Sequence, residues 1–163
     1  MFRGCFISPH LRTLYRPITM NAIKHRIVIE TTPDLLFKAL TDPSQLSRWW
    51  ARCRGSESAS ETITFYFGTG DNNACVMRVA ELAKNQKVVW VCEDGPWIET
   101  EKFEFLIMKD PRGVALEFRN TGWPENEEFF MHCNAKWGFF LGVSLKNLLE
   151  SGTGQPNPLE PAI

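Results

Sequence analysis

The side chains able to do covalent or acid–base chemistry are few: His10, His25 and His132, and the cysteines Cys5, Cys53, Cys75, Cys92 and Cys133. Five cysteines are an odd number, with no CxxC pair and no regular short spacing, so they read as buried free thiols rather than a disulfide framework. His132 and Cys133 are adjacent, but neighbours on a helix point about 100° apart, and no second close pair supplies the other ligands of a zinc site. No metal, no cofactor and no catalytic residue is expected. Gly68-Thr69-Gly70 lacks the lysine and the following helix of a phosphate loop and reads as a hairpin turn. Glu30, Glu101 and Glu117 fall on strands without pairing as catalytic carboxylates. Arg78, between Met77 and Val79, reads as half of a cross-strand ion pair with Glu81 or Glu61, or as the partner of an anionic ligand.

What remains is aromatic surface and a few amides. Aromatic residues make up 12% of the chain, with 12 Phe and 6 Trp against 2 Tyr, more ring than a small core requires. Candidate ligand-binding residues are Trp49 and Trp50 at the end of a short helix, with Phe65, Phe67, Met77 and Trp90 on strands. Phe103, Phe105 and Phe118 on later strands join them, as do Trp137 and Leu141 on the last helix. The two tryptophans could gate a cavity mouth, or one could cap the core while the other covers the sheet edge. Asn120 and Asn134 are the polar groups expected on inward faces, placed to bind a carbonyl or hydroxyl, each other, or a buried water. His132 could act as a general acid or base if a pocket reaches it, but its offset from the apolar stripe fits a surface or helix-start role better.

The elements that position these residues follow from periodicity. Residues 24–31 alternate as a strand, with Ile27 and Ile29 on one side. Thr32 and Pro33 then cap and open a short helix, PDLLFKALTD, and Pro43 opens a second, PSQLSRWW. Ile63, Phe65 and Phe67 share one face of a second strand, and GTGDNN turns the chain. Residues 75–82 and 87–93 are strands joined by AKNQ, with Val88, Trp90 and Cys92 on one face of the latter. After a DGP turn, Phe103, Phe105 and Ile107 mark a fifth strand, and Leu116, Phe118 and Asn120 a sixth. The last element, from about Glu125 to Glu150, carries Phe130, Asn134, Trp137, Leu141, Leu145 and Leu148 as an apolar stripe on one continuous helix.

Strand, two short helices, five strands and a long helix make an α+β chain whose antiparallel sheet has one apolar face to bury. Only the terminal helix is long enough to cover it, so the sheet must curve around that helix. The inward rings outnumber what one helix can fill, and a hollow for a guest is expected between sheet and helix.

Three stretches resemble the START-like, or SRPBCC, superfamily, and within it the branch named after the activator of heat-shock protein ATPase. They are IVIETTPDLLFKALTDPSQLSRWW, VAELAKNQKVVWV and WGFFLGVSLKNLLESGTGQP, and the resemblance covers roughly residues 22–156. It implies the helix-grip fold, here with a six-stranded sheet, and a ligand-accommodating scaffold. Members of the superfamily bind lipids, sterols, polyketides and hormones, catalyse cyclisations, or assist chaperones, so the fold alone does not choose among these. The expected function is binding of an apolar, lipid-like or aromatic small molecule. A polyketide-cyclase or hydratase-like enzyme using Asn120, Asn134 or His132, and a chaperone-related or other interaction module, are the alternatives.

The chain of 163 residues is about one domain long, and a net charge of −1 offers no pull on nucleic-acid phosphates. No nucleic-acid partner is expected; a homodimer is left open. No apolar run approaches the roughly 18 residues that span a membrane. Residues 1–19 carry Arg3, Arg12 and Arg16 but no acid, and read as an extension outside the domain, either a targeting segment or an arm before Met20. The domain is expected over 20–152 and a Gly- and Pro-rich tail over 153–163, in a cytoplasmic protein.

Overall fold

The computed structural model describes residues 21–56, 58–124 and 127–162, so the extension over 1–19 lies outside the described residues. Strand β1 (Asn21–Ile29) leads into helices α1 (Pro33–Thr41) and α2 (Pro43–Trp49). Strands β2 (Arg52–Gly55), β3 (Thr62–Tyr66), β4 (Ala74–Ala83), β5 (Lys87–Asp94), β6 (Lys102–Asp110) and β7 (Gly113–Trp123) follow. The terminal helix comprises α3 (Glu127–Phe139), a π-helical turn (Phe140–Leu145) and α4 (Lys146–Ser151). The strands form one antiparallel sheet in the order β1-β7-β6-β5-β4-β3-β2. This is the α+β helix-grip architecture, with seven strands instead of six. The addition, β2, has four residues of which only Cys53 is buried, too short for alternation to reveal it.

Local chemistry sets the first helices. Thr32 Oγ1 accepts a hydrogen bond from the Leu35 backbone N–H at 3.3 Å, and Pro33 occupies the first turn, where its missing N–H costs nothing. Asp42 ends α1 and caps α2, its Oδ1 accepting from the Ser44 N–H at 2.8 Å. The Trp49 indole donates to the Ala39 carbonyl at 2.8 Å and so locks α2 onto α1.

The terminal helix departs from expectation twice. It is interrupted by the π turn, where Phe140, Leu141, Ser144 and Leu145 are all buried. There the Ser144 hydroxyl donates to the Trp49 carbonyl and accepts from the Gln155 N–H, both at 2.7 Å. An apolar spacing of three and four carries no mark of such an inserted residue. The second correction concerns Asn134, which is exposed; Cys133, four residues before Trp137, holds the inward position, and Asn134 is carried past the seam.

Residues 153–162 do not trail away. The Arg48 guanidinium donates to the Gly152 carbonyl at 2.7 Å, and Asn157 N–H donates to the Trp50 carbonyl at 2.8 Å. Asn157 Oδ1 accepts from the Gly68 N–H at 2.6 Å. The tail is thus strapped across the ends of α2, β2 and β3.

At the far end, Glu150 Oε1 accepts from the Glu30 backbone N–H and from Lys146 Nζ, each at 2.8 Å, while Lys146 also donates to the Val28 carbonyl. The Glu30 hydrogen bond, followed by the lysine, holds this carboxyl below its ordinary value of 4.5. A depressed carboxyl contributes stability above its unfolded pKa and loses it as pH falls through the folded one. Glu150→Gln is therefore expected to lower Tm by a few degrees at neutral pH and by progressively less below about pH 4.5, measured as Tm against pH. An equal loss at pH 3 and pH 7 would contradict this role.

Candidate functional site

The concave face is filled by its own rings. Trp50 sits at the centre, its ring 4.2 Å from Phe65, 4.9 Å from Trp137 and 5.6 Å from Trp90, the last nearly parallel. Trp90 meets Phe105 at 4.6 Å, and Phe118 meets Trp137 at 4.4 Å. Phe103 bridges Phe118 and Trp137. Trp49, Phe65, Met77, Trp90, Phe103, Phe105, Phe118 and Leu141 are fully buried and belong to this packed core. The hollow expected between sheet and helix is confined to one end of the seam: Trp137 and Trp50 interdigitate across the rest and fill it.

Space persists at one end. A cavity of about 170 Å³ lies between Trp50, Phe67 and Trp97 on the sheet side and Phe129, Cys133, Trp137 and Phe140 on the helix. His132, Lys136, Asn157 and Glu160 supply its polar margin. Three expected residues, Trp50, Phe67 and Trp137, border it. Trp97 escaped notice because it follows a turn, and Asn157 and Glu160 because they belong to the tail. Cys133 lay one residue from the assumed stripe. His132, assigned to the surface by its phase, reaches the cavity because the margin lies beyond the stripe.

The margin is internally paired. Lys136 Nζ donates to Glu160 Oε1 and to the Pro161 carbonyl, each at 3.3 Å. Asn157 Nδ2 donates to the same Glu160 oxygen at 2.7 Å, while the other carboxylate oxygen is buried without a hydrogen-bond partner. Two of the three ammonium hydrogens of Lys136 are therefore engaged. The Cys133 thiol accepts from the Trp97 indole at 3.4 Å, and burial pushes it up to about 11, so it is a neutral wall group at pH 7.

Asn120 is buried, but its Nδ2 donates to the Lys102 carbonyl at 3.1 Å and its Oδ1 has no partner, Asn134 being on the other side of the helix. Arg78 pairs across strands with Glu93 at 2.7 Å, not with Glu81 or Glu61. Among the described residues no three His, Cys, Asp or Glu side chains could hold a metal ion, and no helix is long and apolar enough to cross a membrane.

Residues 30–150 match the model of the family described as activator of Hsp90 ATPase homolog 1-like protein. The chain is similar to the Aha1 dimer from Colwellia psychrerythraea, solved in solution, at 32% identity and a TM-score of 0.73, over 83% of this chain and all of that one. DynU16, from the dynemicin biosynthetic locus, aligns at 17% identity and TM-score 0.69 over 82% of this chain and 48% of its own. CalU16 from Micromonospora echinospora aligns at 19% and 0.60, over 84% and 76%. At those identities the last two speak for the fold alone. No curated protein matches the chain.

Proposed function

The chain belongs to the family of activator of Hsp90 ATPase homolog 1-like proteins, and from that premise we propose that it binds a small apolar or aromatic molecule of about one ring at the end of its helix–sheet seam. The observation that carries this reading is the ring-walled cavity of about 170 Å³ with its polar groups gathered on one margin. A dry apolar cavity of about 150 Å³ accepts a benzene-sized guest, so the volume favours one ring over a sterol or a long acyl chain. Lys136, with an uncommitted ammonium hydrogen at the margin, favours a guest bearing an acceptor, such as an aromatic acid or a phenol.

The test is thermal unfolding and native mass spectrometry with benzoate, phenol and indole, against palmitate as the long-chain comparison. A true guest at a hundredfold excess over its Kd contributes about 2.7 kcal/mol and raises Tm by roughly 5–10 °C. Cys133→Met, which fills the cavity from the helix side, is expected to keep the fold and abolish that rise. If none of the ring compounds shifts the unmodified protein, the reading fails.

Two other readings draw on particular observations. An enzyme would use His132, since of His132, Asn120 and Asn134 it alone borders the cavity; turnover of any molecule found bound would favour it. A homodimer draws on the dimeric Colwellia protein, and the same native mass spectra read the oligomeric state directly.

A further inference from the structure

Cys75 on β4 and Cys92 on β5 are brought together by the sheet, although 17 residues separate them in the chain. Their sulfurs lie 3.6 Å apart in the core, and both are free thiols. The pairing of β4 with β5 slips by one residue here, Val76 opposing Asp94 while Met77 opposes Cys92. That bulge swings the chain so that Gly95 closes over Cys75; a Cβ on Gly95 would stand 3.1 Å from the Cys75 Cα and 3.2 Å from its sulfur. Cys92 Sγ also lies 3.3 Å from the Asp94 carbonyl oxygen. The other described cysteines have no thiol neighbour: Cys53 is bonded to Ser47 and the Pro43 carbonyl, and Cys133 to Trp97.

We propose that Cys75 and Cys92 are a redox-active dithiol that closes to an internal disulfide by exchange with a small disulfide of the glutathione class. The sulfurs must approach from 3.6 Å to about 2.0 Å, a movement that modest rotations of the two side chains supply beside a bulge. The two thiols are unequal. The hydrogen bond from Cys75, opposed by burial and aided by the backbone at Trp97 and Asp94, holds the Cys92 thiol below its ordinary value, whereas the Cys75 thiol is raised by its hydrogen bond to Cys92 and by burial. Cys92 is also the less completely buried of the two, Gly95 covering Cys75, so Cys92 is the attacking sulfur and Cys75 the resolving one.

In the first step the Cys92 thiolate attacks one sulfur of the oxidised small disulfide. That S–S bond breaks, a mixed disulfide forms on Cys92, and the departing small thiolate takes up a proton. In the second step Cys75 loses its proton and attacks the Cys92 sulfur, expelling the second small thiol. Two protein thiols are oxidised by two electrons, and one small disulfide is reduced to two thiols. The inference stands independently of any guest in the cavity.

The experiment uses the full chain, reduced, desalted and exposed under native conditions to oxidised glutathione, then acid-quenched, alkylated and mapped by mass spectrometry. The expected product is about 2 Da lighter than the reduced protein, with one Cys75–Cys92 cross-linked peptide that dithiothreitol reverses, while Cys53 and Cys133 remain alkylated. Cys75→Ser is expected to trap glutathione on Cys92, about 305 Da heavier, and Cys92→Ser to take up none at Cys75. The proposal is overturned if Cys75 and Cys92 stay alkylatable in the native protein under conditions that cross-link them once it is unfolded in guanidinium. A wild-type mixed disulfide on Cys92 that never resolves overturns it equally. Should Cys75→Ser fail to fold, the wild-type peptide map decides the matter alone.

Discussion

Replacing Trp50 by alanine is expected to remove about 3–5 kcal/mol of stability, the range measured for large buried aromatics, and to lower Tm by roughly 6–20 °C. The reason is its position at the hub of the ring cluster. Five aromatic neighbours lie within 6.2 Å of its centroid: Phe65, Phe67, Trp90, Trp97 and Trp137. These come from β3 and the residue just past its end, β5, the turn after β5 and the terminal helix, so the void left by the indole cannot be closed by a shift of any one element. Offset and edge contacts between rings add to the loss from burial alone. Trp50→Phe, which keeps one ring in place, is expected to cost less than half as much. Urea unfolding measures both. A loss below about 1 kcal/mol for the alanine variant would mean that this cluster is not what holds sheet to helix.

The second large effect concerns a residue with no side chain. A Cβ on Gly154 would stand 2.2 Å from the Arg48 carbonyl oxygen, a backbone atom that cannot swing aside. Gly154→Ala is expected to lift the tail, breaking the Gln155–Ser144, Asn157–Trp50 and Asn157–Gly68 hydrogen bonds. The Ser144 hydroxyl is buried, so its lost partner is costly, and the expected total is about 2–4 kcal/mol. Because Asn157 and Glu160 border the cavity, stabilisation by a ring-sized guest should vanish with the tail. Gly152, two residues earlier, provides the contrast. Its φ of 84° strains any replacement, but nothing lies within 4 Å of an added Cβ, so Gly152→Ala should cost only the left-handed strain of about 1–2 kcal/mol and leave the tail docked. Limited proteolysis together with Tm separates the two. A Gly154→Ala protein as resistant as its parent would refute the strap.

The Thr32 cap, the prolines that open α1 and α2, and six of the seven strands plus the terminal helix were legible because each is written in local spacing. The inward assignment of Phe65, Trp90, Phe103, Phe105 and Phe118 also held, since alternation along a strand decides which face a residue occupies. Asn134 was misplaced because a helical stripe read with spacings of three and four tolerates either row, and only the contacts of Cys133 and Trp137 choose between them. β2 was missed for want of length, and the π turn because it leaves the apolar count unchanged.

Periodicity along the chain requires that a one-sided antiparallel sheet wrap a single amphipathic helix, because it dictates which faces must leave water. Tertiary structure alone decided how much of that interior is solid. Trp50, Trp90 and Trp137 are far apart in the chain, and whether their rings interlock or stand apart depends on rotamers and crossing geometry that no local pattern encodes. It likewise decided where the remaining space lies. Half of the cavity's polar margin, Asn157 and Glu160, comes from a tail held by partners far away in the chain, Arg48, Trp50, Gly68, Lys136 and Ser144, so no local pattern marks it.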